Sequence, residues 1–165
     1  MGSQYLTTAL DFDTRKKVIR KAMKFLKTHK DSFDVIAVTG SSGLLVGPVL
    51  ADKLGKELIL VRKPTENSHS SAQIEFTNKL YDTHKDKKIR YFIIDDLVAS
   101  GETVMNIVDA MDKSGAFELT GLYCYNQPLK SDRFLRPGLL NNIRDGAAYE
   151  VLRGKIIGGD RSGND

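Results

Sequence analysis

The sequence holds one cysteine, Cys124, in 165 residues. That excludes an intrachain disulfide and a cysteine cluster for zinc, and a reducing compartment is the simplest setting. No apolar run approaches the ~20 residues that a membrane helix needs, and mean hydropathy is −0.30. Residues 1–8 show no basic stretch followed by an apolar one, so no secretory signal and a cytoplasmic protein are expected. Two phosphate-binding fingerprints are lacking too. No segment carries the GK[ST] ending of a P-loop, and Gly40–Gly43 does not fit G-x-G-x-x-G. NTPase and dinucleotide readings fall with them. Internal repeats and signs of a second core are also missing.

What is present suits a single core. A chain of this length buries about 70% of its unfolded surface without staples. Hydrophobic residues make up 41% and charged residues 28%, an ordinary balance for a globular domain. Residues 1–157 are expected to form one domain and residues 158–165 a frayed tail without apolar anchors. Net charge is +4 and the isoelectric point about 9.1, which raises the question of nucleic acid. Eight of the 25 basic residues fall between Arg15 and Lys30. They alternate with Val18, Ile19, Ala22, Met23, Phe25 and Leu26 at helical spacing. The stretch therefore reads as the solvated face of an amphipathic helix rather than a polyanion site.

Further on, strands and helices alternate. Asp34–Thr39 reads as a buried strand, Gly40–Gly43 as a turn, and Leu44–Leu54 as a helix closed by Gly55. Pro48 argues against a long run before it, because proline removes a donor and clashes four residues back. Glu57–Arg62 is a second strand. Lys63–Gln73 is polar and aperiodic and reads as an exposed loop. Ile74–Thr77 suits a short strand and Asn78–His84 a helical turn. Ile89–Asp95 is the strongest strand, rich in β-branched and aromatic residues. A helix follows from about Thr103 to Ser114, and Thr120–Tyr125 is a last strand. The pattern predicts an α/β fold with an open, mostly parallel sheet flanked by helices.

One segment carries chemistry. The strand Tyr91–Ile94 runs into Asp95 and Asp96, then into Leu97, Val98 and a short loop, Ala99–Thr103, where a helix begins. In open parallel sheets ligands bind at the carboxyl ends of strands. Backbone N–H groups at a helix start hold phosphate, Ser100 and Thr103 add hydroxyls, and Gly101 permits close approach. Carboxylates one loop away from such a nest suit a ribose 5-phosphate. Taken alone, an acidic pair after a strand is often only a helix cap; the attached loop favours function. Cys124, between Tyr123 and Tyr125, reads as packing. Tyr125, Asn126 and Gln127 follow a strand end and are candidates to face an acceptor.

Ile93–Thr103 resembles the phosphoribosyl pyrophosphate (PRPP) motif of type I phosphoribosyltransferases, especially adenine- and orotate-type members. Val38–Ala51 resembles that family's first strand, pyrophosphate loop and helix, and Val61–Lys63 the strand before its flexible loop. The resemblance implies the family's Rossmann-like fold. It also implies Mg²⁺-dependent transfer of 5-phosphoribosyl from PRPP to a nucleobase-like nitrogen, a purine first and orotate second, with release of pyrophosphate. Asp95 and Asp96 would bind the ribose hydroxyls and Mg²⁺. Ala99, Ser100, Gly101, Glu102 and Thr103, with Leu97 and Val98 leading in, would bind the 5-phosphate. Thr39, Gly40 and Ser41 would hold pyrophosphate, in a loop that often has a cis peptide in the family. Arg62 and Lys63 would neutralise it, and residues 64–73 would close over the site. A homodimer is implied, with no membrane or nucleic-acid partner. Glu102 inside the phosphate loop, and the lack of Lys or Arg between Lys63 and Lys79, motivate the alternative of a non-catalytic PRPP- or nucleotide-sensing regulatory module on the same fold, one that could take RNA or DNA on the basic helix.

Overall fold

The computed structural model describes residues 6–63, 72–96 and 102–126. A one-turn helix, α1 (Thr7–Leu10), leads into α2 (Phe12–His29). The Asp11 carboxylate starts α2 by accepting from the Thr14 backbone N–H at 2.8 Å, which satisfies a donor that the first turn leaves open. Val18, Ile19, Ala22, Met23 and Leu26 face inward. Among the basic residues from Arg15 to Lys30, all but Arg15 are exposed, so the charged run is the wet side of this helix.

Five strands form one sheet: β1 (Val35–Val38), β2 (Glu57–Val61), β3 (Ile74–Glu75), β4 (Ile89–Asp95) and β5 (Phe117–Cys124). Their order is β3-β2-β1-β4-β5. β1 is parallel to β2 and β4, and β5 to β4, while the short β3 runs antiparallel on β2. The mostly parallel sheet expected from the sequence is thus present. β5 starts earlier than Thr120, because Phe117 and Leu119 turn inward around the exposed Glu118.

Both faces are covered, which is why the central strands read as continuous apolar runs. Ile36, Val38, Phe92 and Ile94 pack on one face with α1, α2 and α3 (Gly40–Leu54). Val35, Ala37, Tyr91 and Ile93 pack on the other with α4 (Asn78–Thr83) and α5 (Glu102–Ser114).

The expected turn at Gly40–Gly43 is instead the first turn of α3, which follows Thr39 directly. Pro48 therefore stands in the helix interior. The helix runs through it because Val46, Leu50 and Ala51 are buried against the sheet. Leu44, whose carbonyl loses its usual partner, lies on the exposed side, where water can substitute. Gly47 permits a close approach: a Cβ there would run into Cγ1 of Val38 on β1. Gly55 closes α3 in the left-handed conformation, as expected.

The amino end of the sheet is fastened by Asp34. Its carboxylate accepts from the Arg90 backbone N–H at 2.9 Å and from Arg90 Nε and Nη2 at 3.1 and 2.9 Å. Burial works to raise the Asp34 pKa, but the bonds from Arg90 prevail and hold it below the usual carboxylate range.

Candidate functional site

β1 leads through α3 to β2 on one side, while β4 lies on the other side of β1. The carboxyl ends of β1 and β4 therefore flank the point where strand order reverses, which is where open α/β sheets hold ligands. Thr39 and the first turn of α3 leave from one end, Asp95 and Asp96 from the other.

Asp95 and Asp96 are 3% and 2% exposed. The Asp95 backbone carbonyl accepts from Tyr125 N at 3.0 Å, and that of Asp96 from Asn126 N at 2.8 Å. The continuing ladder between β4 and the residues after β5 thus fixes both backbones. Asp95 Oδ1 accepts from the Asp96 N–H at 2.8 Å and from Ser42 Oγ at 2.9 Å. Burial, helped by the adjacent Asp96 carboxyl, pushes the Asp95 pKa up to about 7. The Ser42 hydroxyl and the Asp96 N–H pull the other way. The oxygens of such a pair suit ligand hydroxyls or a cation.

Across the reversal point, Thr39 is 5% exposed and extended, and Gly40 has φ +61°. A side chain there would be strained. The same glycine keeps the surface flat beneath Lys63, whose Cε and Nζ lie 3.7 Å from where a Cβ would sit. The first N–H groups of a helix have no partner within it and attract anions. The Lys63 ammonium over that end adds a full positive charge. No peptide among the described residues is cis, contrary to what the resemblance implied for this loop; the unusual backbone is at Gly40.

The expected site residues do not all converge. Arg62 is turned to β3, where Nε and Nη2 donate to Glu75 Oε1 at 3.1 and 2.7 Å, so Glu75 already offsets its charge. Thr103 is half-buried in the first turn of α5, and Glu102 opens that helix. Leu97, Val98, Ala99, Ser100 and Gly101 lie outside the described residues, as do 64–71 and everything after Asn126. Cys124 is buried; burial, then the Asp95 and Asp96 charges, keeps its thiol protonated, which supports the packing role.

One residue of this centre, Ser42, is not among the expected site residues, and Tyr125 is expected only as a candidate to face an acceptor. Ser42 reaches Asp95, and the Tyr125 hydroxyl donates to the Ser42 carbonyl at 2.8 Å. Tyr125 thus spends its hydroxyl on the protein instead of turning it to an acceptor. The helical phase of α3 was the missing signal: with the helix starting at Gly40, Ser42 faces β4 while Ser41 is exposed.

Residues 9–124 match the family described as Phosphoribosyl transferase domain. Adenine phosphoribosyltransferase of Bifidobacterium longum (strain NCC 2705) is 36% identical over 107 residues, covering 60% of this chain and 55% of that one. The chain spans about half the length of the adenine-type relatives it matches. Orotate phosphoribosyltransferase of Streptococcus pyogenes serotype M12 (strain MGAS2096) is 26% identical over 149 residues, 87% of this chain and 68% of that one. Among solved structures, adenine phosphoribosyltransferase from Thermoanaerobacter pseudethanolicus has a TM-score of 0.53 at 26% identity, covering 72% of each chain.

Proposed function

Because the chain belongs to the phosphoribosyl transferase family, we propose that it transfers 5-phosphoribosyl from PRPP to a ring nitrogen of a nucleobase-like acceptor and releases pyrophosphate. A purine is the first acceptor and orotate the second, following the adenine and orotate enzymes it is similar to. The observation that carries this reading is the meeting at one sheet end of two buried carboxylates with a helix start and a lysine ammonium.

In such a transfer the bond from ribose C1 to the diphosphate oxygen breaks as C1 bonds to the acceptor nitrogen, whose proton passes to water or to the leaving diphosphate. Positive charge builds on the sugar and negative charge on the leaving diphosphate. Asp95 and Asp96 accept hydrogen bonds from the ribose hydroxyls and offset the charge on the ring. The N–H groups of Thr39, Gly40 and Ser41, together with Lys63, receive the diphosphate. Thr103 and the stretch from Leu97 to Glu102 receive the 5-phosphate. Arg62 adds a more distant positive charge from its place on Glu75.

The buried acidic pair also fits Mg²⁺. Among the described residues no cluster of three acidic, histidine or cysteine side chains could hold a metal. Asp95 and Asp96 are the residues that would hold it here, and Mg²⁺ commonly completes its shell with water and substrate phosphate. When bound, the ion supplies positive charge to the diphosphate. The reading carries with it a homodimer acting in the cytoplasm, with no membrane or nucleic-acid partner. No described helix is long and apolar enough to cross a membrane.

The test is direct. The purified chain is incubated with PRPP, Mg²⁺ and a panel of bases, and pyrophosphate is measured. Release with adenine or another purine is expected. No release with any base and no calorimetric binding of PRPP would overturn the proposal. Binding without release would support the sensing module instead, the reading favoured by Arg62 being held on Glu75.

A further inference from the structure

We propose that Ser42 is a positioning residue that ties the sugar-binding carboxylates to the helix start that receives pyrophosphate, with Tyr125 as its brace. The inference rests on the reading of the site given above. It concerns two residues that touch no proposed substrate group through their bonded atoms.

Three hydrogen bonds carry it. Ser42 Oγ donates to Asp95 Oδ1 at 2.9 Å, across 53 residues of sequence. The Asp96 N–H donates to the same oxygen at 2.8 Å. The Tyr125 hydroxyl donates to the Ser42 carbonyl at 2.8 Å, across 83 residues. Two donors on one oxygen hold the Asp95 side chain in one orientation, which sets where its second oxygen points. The Asp96 N–H belongs to the next residue and would be present in any conformation of this turn. Ser42 is the donor that refers the carboxylate to a different element.

That element is the first turn of α3. Ser42 is two residues after Gly40, the glycine under Lys63. One turn of helix thus presents N–H groups and Lys63 to an anion on one side and a hydroxyl to Asp95 on the other. Tyr125 fixes the depth of the turn from the far edge. Its own N–H bonds to the Asp95 carbonyl at 3.0 Å, and its ring packs on the apolar cluster beneath α2 and α3. Asp95, Ser42 and Tyr125 therefore close a ring of contacts over three elements: the end of β4, the start of α3 and the exit of β5. In a transfer reaction the distance between sugar and diphosphate sites must match the substrate, and small errors in placement are costly. This ring sets that distance.

The prediction is a split between two ligands. Ribose 5-phosphate needs the carboxylates, whereas inorganic pyrophosphate needs only the helix start and Lys63. In Ser42→Ala, calorimetry with Mg²⁺ present should show ribose 5-phosphate binding about tenfold weaker, the size expected for one hydrogen bond to a charged group. Pyrophosphate binding should stay within about twofold of wild type on the same scale. Ser42→Thr keeps the hydroxyl and should restore ribose 5-phosphate binding to within about threefold. Tyr125→Phe removes only the brace and should give a smaller loss of the same ligand. It also serves if Ser42→Ala does not fold.

Equal loss of both ligands in Ser42→Ala would mean a collapsed turn and would overturn the proposal. So would unchanged ribose 5-phosphate binding, or unchanged binding in Tyr125→Phe where Ser42→Ala is unfolded. Wild-type protein that binds neither PRPP nor ribose 5-phosphate overturns the functional reading itself, and the positioning role with it. Wild-type binding with an indifferent Ser42 overturns the positioning role alone.

Discussion

Asp95 and Asp96 are a liability to the fold at the scale of single residues. Two neighbouring carboxylates, each almost fully buried, repel one another and lack the solvation they would have in the unfolded chain. Replacing both with asparagine keeps the shape and one acceptor oxygen on each side chain but removes the charge. In Asp95→Asn with Asp96→Asn we expect an unchanged circular dichroism spectrum, a melting temperature at or above wild type, and no calorimetric binding of ribose 5-phosphate. Retained ribose 5-phosphate affinity would reject the assignment of these carboxylates. This pair is legible in the sequence because its signal is local: a strand, two adjacent acids and a short loop before a helix. Ser42 is not legible in the same way. Its partner is 53 residues away, and nothing in the spacing of Thr39, Gly40, Ser41 and Ser42 says which hydroxyl faces β4. Lys63 lies between these cases. Its place after a strand is local information, but its approach to Gly40 comes only from the pairing of β1 with β2.

At the scale of elements, the helices and strands with a clear period are those the sequence already shows. α2 is an example: Val18, Ile19, Ala22, Met23 and Leu26 recur at helical spacing and face the core. α3 shows the opposite. Its glycines, serines and Pro48 argue locally for a turn and a late start, yet packing on β1 starts the helix at Gly40. Tertiary contact overrides weak local preference there. The pairing of Asp34 and Arg90 is another long-range device, joining the entry of β1 to the start of β4. His84 Nε2 also lies 3.7 Å from Asp34 Oδ2. The folded-state pKa of Asp34 is below its ordinary value, so this stabilisation is present above the unfolded pKa near 3.9. It is lost as pH falls through the lower, folded value. Near neutrality Asp34→Asn should be about 2 kcal/mol less stable, the scale of hydrogen bonds to a charged group. Chemical denaturation along a pH series should show the gap closing below about pH 4. A gap that stays constant down to about pH 3 would assign the loss to packing instead.

At the scale of the whole molecule, β1 and β4 are shared by two apolar clusters on opposite faces of the sheet. Their carboxyl ends hold the proposed site, so a ligand bridging Asp95, Asp96 and the start of α3 would add cross-links at the seam between the two layers. The unfolded chain has no such arrangement, and a ligand that binds only the folded state must stabilise it in proportion to the logarithm of its concentration. At PRPP and Mg²⁺ about 100 times above the dissociation constant, that gain is about 2.7 kcal/mol. For a chain of this size it corresponds to a rise in melting temperature of about 5–10 °C. Differential scanning fluorimetry should show the rise growing with each tenfold increase in PRPP. Asp95→Asn with Asp96→Asn should retain only the smaller shift that pyrophosphate alone produces through Lys63 and the start of α3. Equal shifts in wild type and the double variant would mean that PRPP binds away from the carboxyl ends of β1 and β4.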